Sequence, residues 1–360
     1  MRALIEQRIR NRGPMPFDEF MELCLYHPEQ GYFSAGSVRP GIAGDFVTAP
    51  EVSPWFGRLV GRWATDRLPP DHTGWSFIDI GAGSGALIDA ARREIPDDVA
   101  LIAVERSTAA RRVLADRGIT AVPSVDAVPS GPAIVVMNEV VDNVPAALVR
   151  RRGDRLLEVM VEIGTPTGER GTFSLTEHPV RPGVAAWVGR YLPILGDGSL
   201  AVVQPGVTDL LDAVLAKVGA GALCIIDYGG GSDVLASRPL ESLVRTYRHQ
   251  RTGFDFLRHP GETDITVDMN TDVLTAWAQH NGLSVEGRTQ AEFLEAAGAR
   301  IVMAELTAAE HAAAAANDVM GQLAVRSEAV GVTALLDPGG FGAFDVVLMD
   351  REPNTPVEPS

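Results

Sequence analysis

Two pairs of polar residues that could do chemistry follow one strongly apolar run. Residues 133–137 are all apolar and predict a buried strand. Asn138 and Glu139 come directly after this run, and Asp142 and Asn143 follow within the next turn of the chain. Because a buried charge without a partner is costly, these side chains either meet solvent at the edge of a sheet or hold a ligand. For Asp142 a structural alternative stays open, namely capping of a following helix.

A glycine-rich turn, "GAGSGA" at residues 81–86, lies between a predicted strand and a predicted helix. Glycines at 81, 83 and 85 let the backbone turn sharply and approach a ligand closely. Glu105 ends the next predicted strand, and its carboxylate could accept hydrogen bonds from both hydroxyls of a ribose. The turn and the acid together favour a nucleoside-containing cofactor over a glycine turn that binds nothing.

The same glycine pattern is compatible with a nicotinamide dinucleotide and with S-adenosyl-L-methionine. A dinucleotide presents a pyrophosphate to the helix N-terminus, and Asp79, two residues before Gly81, would repel it. S-adenosyl-L-methionine instead carries an ammonium and a sulfonium, which favour nearby carboxylates such as Glu139 and Asp142. The acidic surroundings therefore favour S-adenosyl-L-methionine, and an NAD-dependent oxidoreductase remains the alternative.

The elements that must position these residues alternate between strands and helices. Strands are predicted near residues 75–80, 100–107, 133–140, 222–231, 283–290 and 344–352. Strands that alternate with helices predict an α/β fold with a mostly parallel, doubly wound sheet, in which ligands bind at the C-terminal ends of the strands. Residues 146–200 and 231–270 break the alternation, and since each follows a sheet strand we expect both to be substrate-cap insertions.

The chain divides on this basis into three predicted parts. Residues 1–70 form an N-terminal helical extension with a cofactor-covering loop, and residues 71–350 form the domain that contains the sheet and its insertions. Residues 351–360 are expected to be a disordered tail.

Composition disfavours several classes of function. The 360 residues carry a formal net charge of −16, and we expect neither nucleic acid nor an anionic membrane as partner because phosphates would be repelled. No secretory signal and no membrane-spanning run is expected, so the predicted location is the cytoplasm. Cys24 and Cys224 are expected to be buried thiols, and the histidine spacing predicts no metal site. The oligomeric state is open, with a homodimer as one arrangement.

Several stretches closely resemble the MidA family of class I methyltransferases, and they occur in order from about residue 3 to about residue 350. The stretch "GDFVTAPE" (44–51) is the most specific of them. The others are "YHPEQGYFS", "FIDIGAGSGALIDA", "NEVVDNVP", "GALCIIDYG", "RHPGETDIT", "TQAEFLEAAG" and "GGFGAFDVVL". The resemblance implies a Rossmann-like, seven-stranded class I methyltransferase sheet, with residues 71–350 as the methyltransferase domain and S-adenosyl-L-methionine as cofactor. The mitochondrial relatives are complex I assembly factors that methylate an arginine of a respiratory subunit, so the resemblance also implies a protein arginine as acceptor.

The resemblance further implies which residues bind the cofactor. These are Phe46, Thr48, Asp79, Gly81, Gly83, Gly85 and Glu105. The glycines and Asp79 would hold the methionine moiety, Glu105 the ribose, and the loop that contains Phe46 and Thr48 would cover the cofactor. The chain departs from the family at Ala82, where proline is usual, and near the expected acceptor site at Val140, Val141 and Met269, where aromatic residues are common.

The reaction itself asks mainly for alignment of acceptor, methyl group and sulfur. A guanidinium is a poor nucleophile because its charge is delocalised, and carboxylates that hold it can localise that charge. We predict that Asn138 fixes the cofactor, that Glu139 contacts the acceptor or the cofactor's amino group, and that Asp142 orients the acceptor. His249 is a candidate base. A small-molecule N- or O-methyltransferase and a non-catalytic assembly factor that binds the cofactor are the alternatives.

Overall fold

The computed structural model describes residues 1–33, 47–164, 173–192, 194–248 and 251–351. The chain forms two compact units. The first unit comprises Met1–Phe46, Glu139–Asp212 and Gly229–Asn281, and the second comprises Val47–Asn138, Ala213–Tyr228 and Gly282–Ser360.

The helices and strands follow one another along both units. In chain order the helices are α1 (Arg2–Arg12), α2 (Phe17–Tyr26), α3 (Ala49–Val52), α4 (Pro54–Thr65), α5 (Ala86–Ala91), α6 (Thr108–Asp116), α7 (Pro182–Tyr191), α8 (Pro205–Lys217), α9 (Ser232–Ala236), α10 (Leu240–Leu243), α11 (Thr271–His280), α12 (Gln290–Ala296), α13 (Ala299–Ala315) and α14 (Val319–Leu336). The strands are β1 (Met15–Pro16), β2 (Ser76–Ile80), β3 (Ala100–Val104), β4 (Thr120–Val122), β5 (Gly131–Asn138), β6 (Ala147–Arg152), β7 (Arg155–Ile163), β8 (Phe173–Pro179), β9 (Leu200–Val203), β10 (Val218–Asp227), β11 (Gly229–Gly230), β12 (Val244–Arg248), β13 (Arg251–Gly253), β14 (Asp264–Val267), β15 (Met269–Asn270), β16 (Ser284–Thr289) and β17 (Asp345–Arg351).

The second unit contains a seven-stranded sheet with the order β16-β17-β10-β5-β2-β3-β4. Strands β10, β5, β2, β3 and β4 are parallel, and β17 runs antiparallel to both of its neighbours. The central strands are apolar on both faces because helices cover both sides of such a sheet. The predicted Rossmann-like α/β fold is confirmed by this sheet.

Glycines in α4 bring this helix close to the helix that follows the glycine turn. A Cβ atom on Gly57 would lie 2.5 Å from the Leu87 carbonyl oxygen, and one on Gly61 would lie 2.8 Å from the Ala91 carbonyl oxygen. Only glycine permits this approach of α4 to α5. The close packing fixes α5, and with it the turn at its N-terminus, against the sheet.

The first unit is built on antiparallel sheets. One has the order β1-β7-β6-β9 with β8 added on β7, and a smaller sheet has the order β13-β12-β14. Helix α2 packs its aromatic face into the core of this unit, where the rings of Phe17 and Phe20 lie 5.3 Å and 6.2 Å from the ring of Phe256. The fully buried Glu158 on β7 is neutralised by Arg181, whose guanidinium also contacts Asp18 at 2.7 Å.

The division into units differs from the predicted division in its boundaries. Residues 47–70, predicted as part of the N-terminal extension, group with the sheet unit. The two predicted insertions, 146–200 and 231–270, both fall within the first unit, which also takes in the flanking residues from 139 and up to 281.

One helix in the described part of the chain, Val319–Ala343, is long and apolar enough to cross a membrane by length and composition. This corrects the expectation that no apolar run approaches that length. Core helices of soluble proteins meet the same criterion, and here Val332 and Leu335 of α14 are buried in the core of the second unit. Much of the remaining surface of α13 and α14 is exposed, including Met320 and Leu323.

Candidate functional site

The glycine turn lies at the C-terminal edge of the sheet in the second unit, between β2 and α5. Gly81, Gly83 and Gly85 all have left-handed backbone angles, with φ of 73°, 51° and 79°, which L-residues with a Cβ rarely adopt. A Cβ on Gly83 would meet no atom closer than the Gly81 carbonyl oxygen at 3.8 Å, whereas one on Gly85 would lie 2.5 Å from Cδ2 of Leu114. Gly83 therefore leaves open space beside the turn, and Gly85 serves the packing of α5 on α6.

Glu105 binds the glycine turn directly, as the parallel strand order predicts. Its carboxylate accepts a hydrogen bond from the Gly83 N–H at 2.9 Å and another from the Ser107 N–H at 2.7 Å. The turn itself is tied to the end of β3 because the Gly81 N–H donates to the Val104 carbonyl at 2.8 Å. A carboxylate held in this way has further lone pairs for the hydroxyls of a ribose.

Asp79 lies at the end of β2 below the turn and is almost completely buried, with 2% of its surface exposed. Burial, together with the nearby charge of Glu105, raises its pKa to about 8, and a hydrogen bond with the backbone of Ile88 opposes this rise. One carboxylate oxygen, Oδ2, is buried and has no hydrogen-bond partner among the residues that the structure describes. Such an oxygen is costly, and an ammonium group placed beside it would satisfy it, so this position fits the cationic methionine moiety of S-adenosyl-L-methionine.

Asn138 is the last residue of β5, the neighbour of β2, and so lies at the same edge of the sheet. The register places Met137 opposite Ile80 of β2 and Asn138 opposite Ile226 of β10. The ends of three parallel strands are therefore adjacent, with Asp227 closing the third. This is the edge at which open α/β sheets bind their ligands.

Glu139 begins the first unit and has a strained backbone. Its φ of 52° is left-handed, a conformation that costs a residue with a side chain about 1–2 kcal/mol. Backbone strain of this kind is concentrated at functional sites, where the surrounding structure enforces it. The strain indicates that the surrounding structure fixes the backbone direction at Glu139, where the chain leaves the edge of the sheet after Asn138.

Asp142 lies in the short 3₁₀ helix Val141–Asn143 and is 5% exposed. The chain continues into β6 rather than into an α-helix, so the helix-capping alternative for Asp142 is wrong. The turn is fixed from several sides within the first unit. The Asn143 amide donates to Oδ1 of Asp264 at 2.9 Å, the Tyr26 hydroxyl donates to the Asn143 carbonyl at 3.0 Å, and the Gln204 amide donates to the Val141 carbonyl at 2.7 Å.

For the other predicted site residues, the structure gives either no position or no contact that tests the predicted role. Phe46 and His249 lie outside the described residues. Thr48 is described, and its carbonyl accepts backbone hydrogen bonds that begin α3, while its predicted contact with the cofactor stays a prediction. Val141 and Met269, expected near the acceptor, are buried with 2% and 0% of their surface exposed, so both contribute to a core.

One further candidate that the sequence reasoning missed, Asp126, follows the strand whose end is bonded to Glu105. Asp126 belongs to the 3₁₀ helix Val125–Ala127, which follows β4, and the Glu105 N–H donates to the Val122 carbonyl at the end of that strand. The carboxylate of Asp126 could accept a hydrogen bond from the amino group of adenine in a cofactor whose ribose is bound at Glu105. The signal in the sequence was a polar residue after a strand only three residues long.

A family model described as S-adenosyl-L-methionine-dependent methyltransferase matches residues 59–289. Among curated proteins, the mitochondrial protein arginine methyltransferase NDUFAF7 homolog of Caenorhabditis elegans is 25% identical over 337 residues and covers 83% of this chain and 76% of its own length. The mitochondrial protein arginine methyltransferase NDUFAF7 of Rattus norvegicus is 24% identical and covers 81% of this chain and 72% of its own length.

Solved structures agree with the sequence comparisons. A crystal structure of a protein from Burkholderia thailandensis bound to S-adenosyl-homocysteine superposes with a TM-score of 0.80 and 26% identity, covering 98% of this chain and 92% of that one. A native crystal structure from the same organism superposes with a TM-score of 0.77 at 24% identity, and this likeness shows the fold.

Proposed function

This chain belongs to the family of S-adenosyl-L-methionine-dependent methyltransferases, and from that premise we propose that it methylates an arginine side chain of a protein. The curated relatives in Caenorhabditis elegans and Rattus norvegicus are named protein arginine methyltransferases. The observation that carries the proposal for this chain is the pair of carboxylates at Glu139 and Asp142, which directly follow the strand that ends beside the glycine turn.

The residues of the second unit are suited to hold the cofactor. Gly83 leaves room for close approach to the backbone, Glu105 offers carboxylate oxygens for the ribose, and Asp79 offers a buried oxygen for the ammonium group. When bound, S-adenosyl-L-methionine supplies a methyl group already activated by the sulfonium. The protein therefore has to bind, orient and exclude water rather than to activate the donor.

Glu139 and Asp142 offer carboxylates for the acceptor. A guanidinium binds carboxylates through paired hydrogen bonds, and this pairing draws its positive charge toward the bonded nitrogens and away from the one to be methylated. Asp142 is held in place because its neighbour Asn143 is bonded to Asp264 and Tyr26. Glu139 can in addition hold the proton that the acceptor nitrogen loses.

The test is transfer of a tritiated methyl group from S-adenosyl-L-methionine into proteins of a cell lysate. We expect labelled protein whose modified residue is methylarginine by mass spectrometry, and loss of labelling in the variants Glu139→Gln and Asp142→Asn. The exposed Asp116 provides a matched control, because Asp116→Asn removes a carboxylate on α6. Label found only in small molecules, or binding of the cofactor without any transfer, would refute a protein acceptor.

A further inference from the structure

The first unit contains an open cleft of about 690 Å³ that the proposed chemistry does not use. It lies beside the small sheet β13-β12-β14 and helix α10, and it is lined by Arg238, Glu241, Ser242, Arg245, Gly253 and Phe254. Two of these six residues are arginines, although the chain as a whole is strongly acidic. The cleft therefore presents two guanidinium groups on a strongly acidic protein.

The two arginines share one buried carboxylate. Nη1 of Arg238 donates to Oδ2 of Asp268, and Nη2 of Arg245 donates to Oδ1 of the same carboxylate. The Asp268 side chain is fully buried, whereas those of Arg238 and Arg245 are 32% and 24% exposed. The carboxylate of Asp268 is thus buried, while part of each arginine side chain stays exposed.

A buried ion triad can serve the fold alone, but two features here go beyond that role. Both guanidinium groups form part of the wall of an accessible cleft, and a guanidinium presents planar pairs of N–H groups that match a carboxylate or a phosphate. Phe254, half-buried in the same wall, adds an apolar surface for the stem of a side chain.

The charges around the cleft favour a singly charged carboxylate over a phosphate. Glu241 also lines the cleft, so with Asp268 it balances the two arginines. A doubly charged phosphate would have to approach this carboxylate on a protein of net charge −16. A carboxylate carries only one negative charge, and one bidentate pair of hydrogen bonds with an arginine satisfies both of its oxygens.

The position of the cleft connects it with the residues expected to bind the acceptor. Strand β14 begins at Asp264, which is bonded to Asn143, and Asp268 follows its last residue. Four residues of extended strand span about 13 Å. The two ends of this segment could thus contact positions about four residues apart in an extended acceptor chain.

We propose that this cleft binds a carboxylate side chain of the acceptor protein, about four residues from the arginine that is methylated. The choice of an acceptor protein rests on the proposed function, whereas the binding of a carboxylate does not. A peptide acceptor would be recognised through one of its acidic side chains and one of its arginines, and the sites for these two side chains lie at the two ends of β14.

The first experiment measures binding without any methyl transfer. N-acetylglutamate methylamide, which has a single carboxylate, is titrated into the protein while the side-chain Nε–Hε signals of the arginines are followed by NMR. We expect saturable shifts of the Arg238 and Arg245 signals, about tenfold weaker binding in Arg238→Gln through loss of one charge-assisted bond, and tighter binding in Glu241→Gln. The exposed Arg258 is the matched control, and Arg258→Gln should bind like the wild type.

Three outcomes would overturn the site. These are an absence of saturable shifts, an equal loss of affinity in Arg258→Gln, and tighter binding of inorganic phosphate than of the carboxylate probe. Arg238→Lys keeps a positive charge beside Asp268 but loses the planar fork, so it separates loss of binding from loss of folding. We expect it to fold and to bind the probe more weakly than the wild type.

The second experiment tests the acceptor with peptides that contain one arginine. A glutamate four residues from the arginine should lower KM relative to alanine at that position, and Arg238→Gln should remove the difference. If the probe binds but no peptide or lysate protein is methylated, the proposed function fails while the cleft stands. If peptides are methylated without any preference for the acid, the assignment of the cleft to the acceptor fails.

Discussion

Replacement of Asp79 by asparagine should stabilise the fold and weaken cofactor binding at the same time. Asp79 is 2% exposed, has a buried oxygen without a partner in the structure, and lies close enough to Glu105 for the two charges to repel each other. A residue kept only for stability would not be expected to carry these costs. Asp79→Asn keeps the size of the side chain and removes the titrating group.

The magnitude follows from the pKa of about 8 against an ordinary value of 3.8. At roughly 1.4 kcal/mol per pKa unit, the whole difference corresponds to about 6 kcal/mol in the free energy of unfolding. Of this, about 4 kcal/mol is already lost when the pH has risen from 3.8 to 7. Because the pKa is raised on folding, the folded state binds the extra proton. The contribution of Asp79 to stability is therefore complete below pH 3.8 and is lost as the pH rises through 8.

The assay is urea unfolding at several pH values between about pH 5 and about pH 9, with the free energy of unfolding compared between variants. We expect wild-type stability to fall relative to Asp79→Asn over this range by several kcal/mol. The variant should be the more stable protein at neutral pH and should bind S-adenosyl-homocysteine at least about tenfold more weakly. The exposed control Asp116→Asn should change neither quantity.

Two results would refute this reasoning. If wild type and Asp79→Asn show the same dependence of stability on pH, the carboxyl group of Asp79 does not titrate near 8 in the folded protein. If the variant binds S-adenosyl-homocysteine as tightly as the wild type, Asp79 does not hold the amino group of the cofactor.

Three further predictions concern the turn and the strand end. Glu139→Gly should relieve the left-handed φ of 52° and raise the free energy of unfolding by about 1 kcal/mol, while methyl transfer is lost; an unchanged or lower stability in urea would contradict the strain. Gly85→Ala should destabilise the protein by about 2–3 kcal/mol in the same assay, because alanine is strained at φ of 79° and its Cβ would displace the Leu114 methyl group that lies 2.5 Å away. The Cβ of Gly83→Ala would point into open space, so this variant should lose less stability but more cofactor affinity. Equal effects of the two substitutions would contradict the two different roles. Glu105→Gln should weaken binding of S-adenosyl-homocysteine by about tenfold through loss of charge-assisted bonds to the ribose, measured by calorimetry, and an unchanged affinity would place the ribose elsewhere.

The strands of the central sheet could be predicted because buried parallel strands are continuous apolar runs. Residues 133–137 show this. The contact of Glu105 with Gly83 is a finding of the structure that agrees with the adjacency of parallel strand ends. Strand β4 was missed because its three residues are only partly buried and too few to form a pattern. With it the sequence reasoning missed Asp126.

The helices were harder to delimit than the strands. The alanine-rich run from residue 290 forms three helices rather than one, because it breaks after α12 at Gly298, with φ of 102°, and after α13 at Asn317, with φ of 55°. Local composition favours helix throughout this run, and a reversal of direction requires only one residue that tolerates a left-handed backbone. Helix α7 was not predicted because its pattern is short, and its stability comes from burial of Trp187 and Val188 in the first unit.

The central claim is that the cofactor binds at the sheet edge formed by Asp79, Gly83 and Glu105. A crystal structure of this protein with S-adenosyl-homocysteine tests it most directly. We expect the ribose hydroxyls on the Glu105 carboxylate and the amino group beside Oδ2 of Asp79. A nucleoside bound at any other place, with this edge of the sheet left unchanged, would contradict the account.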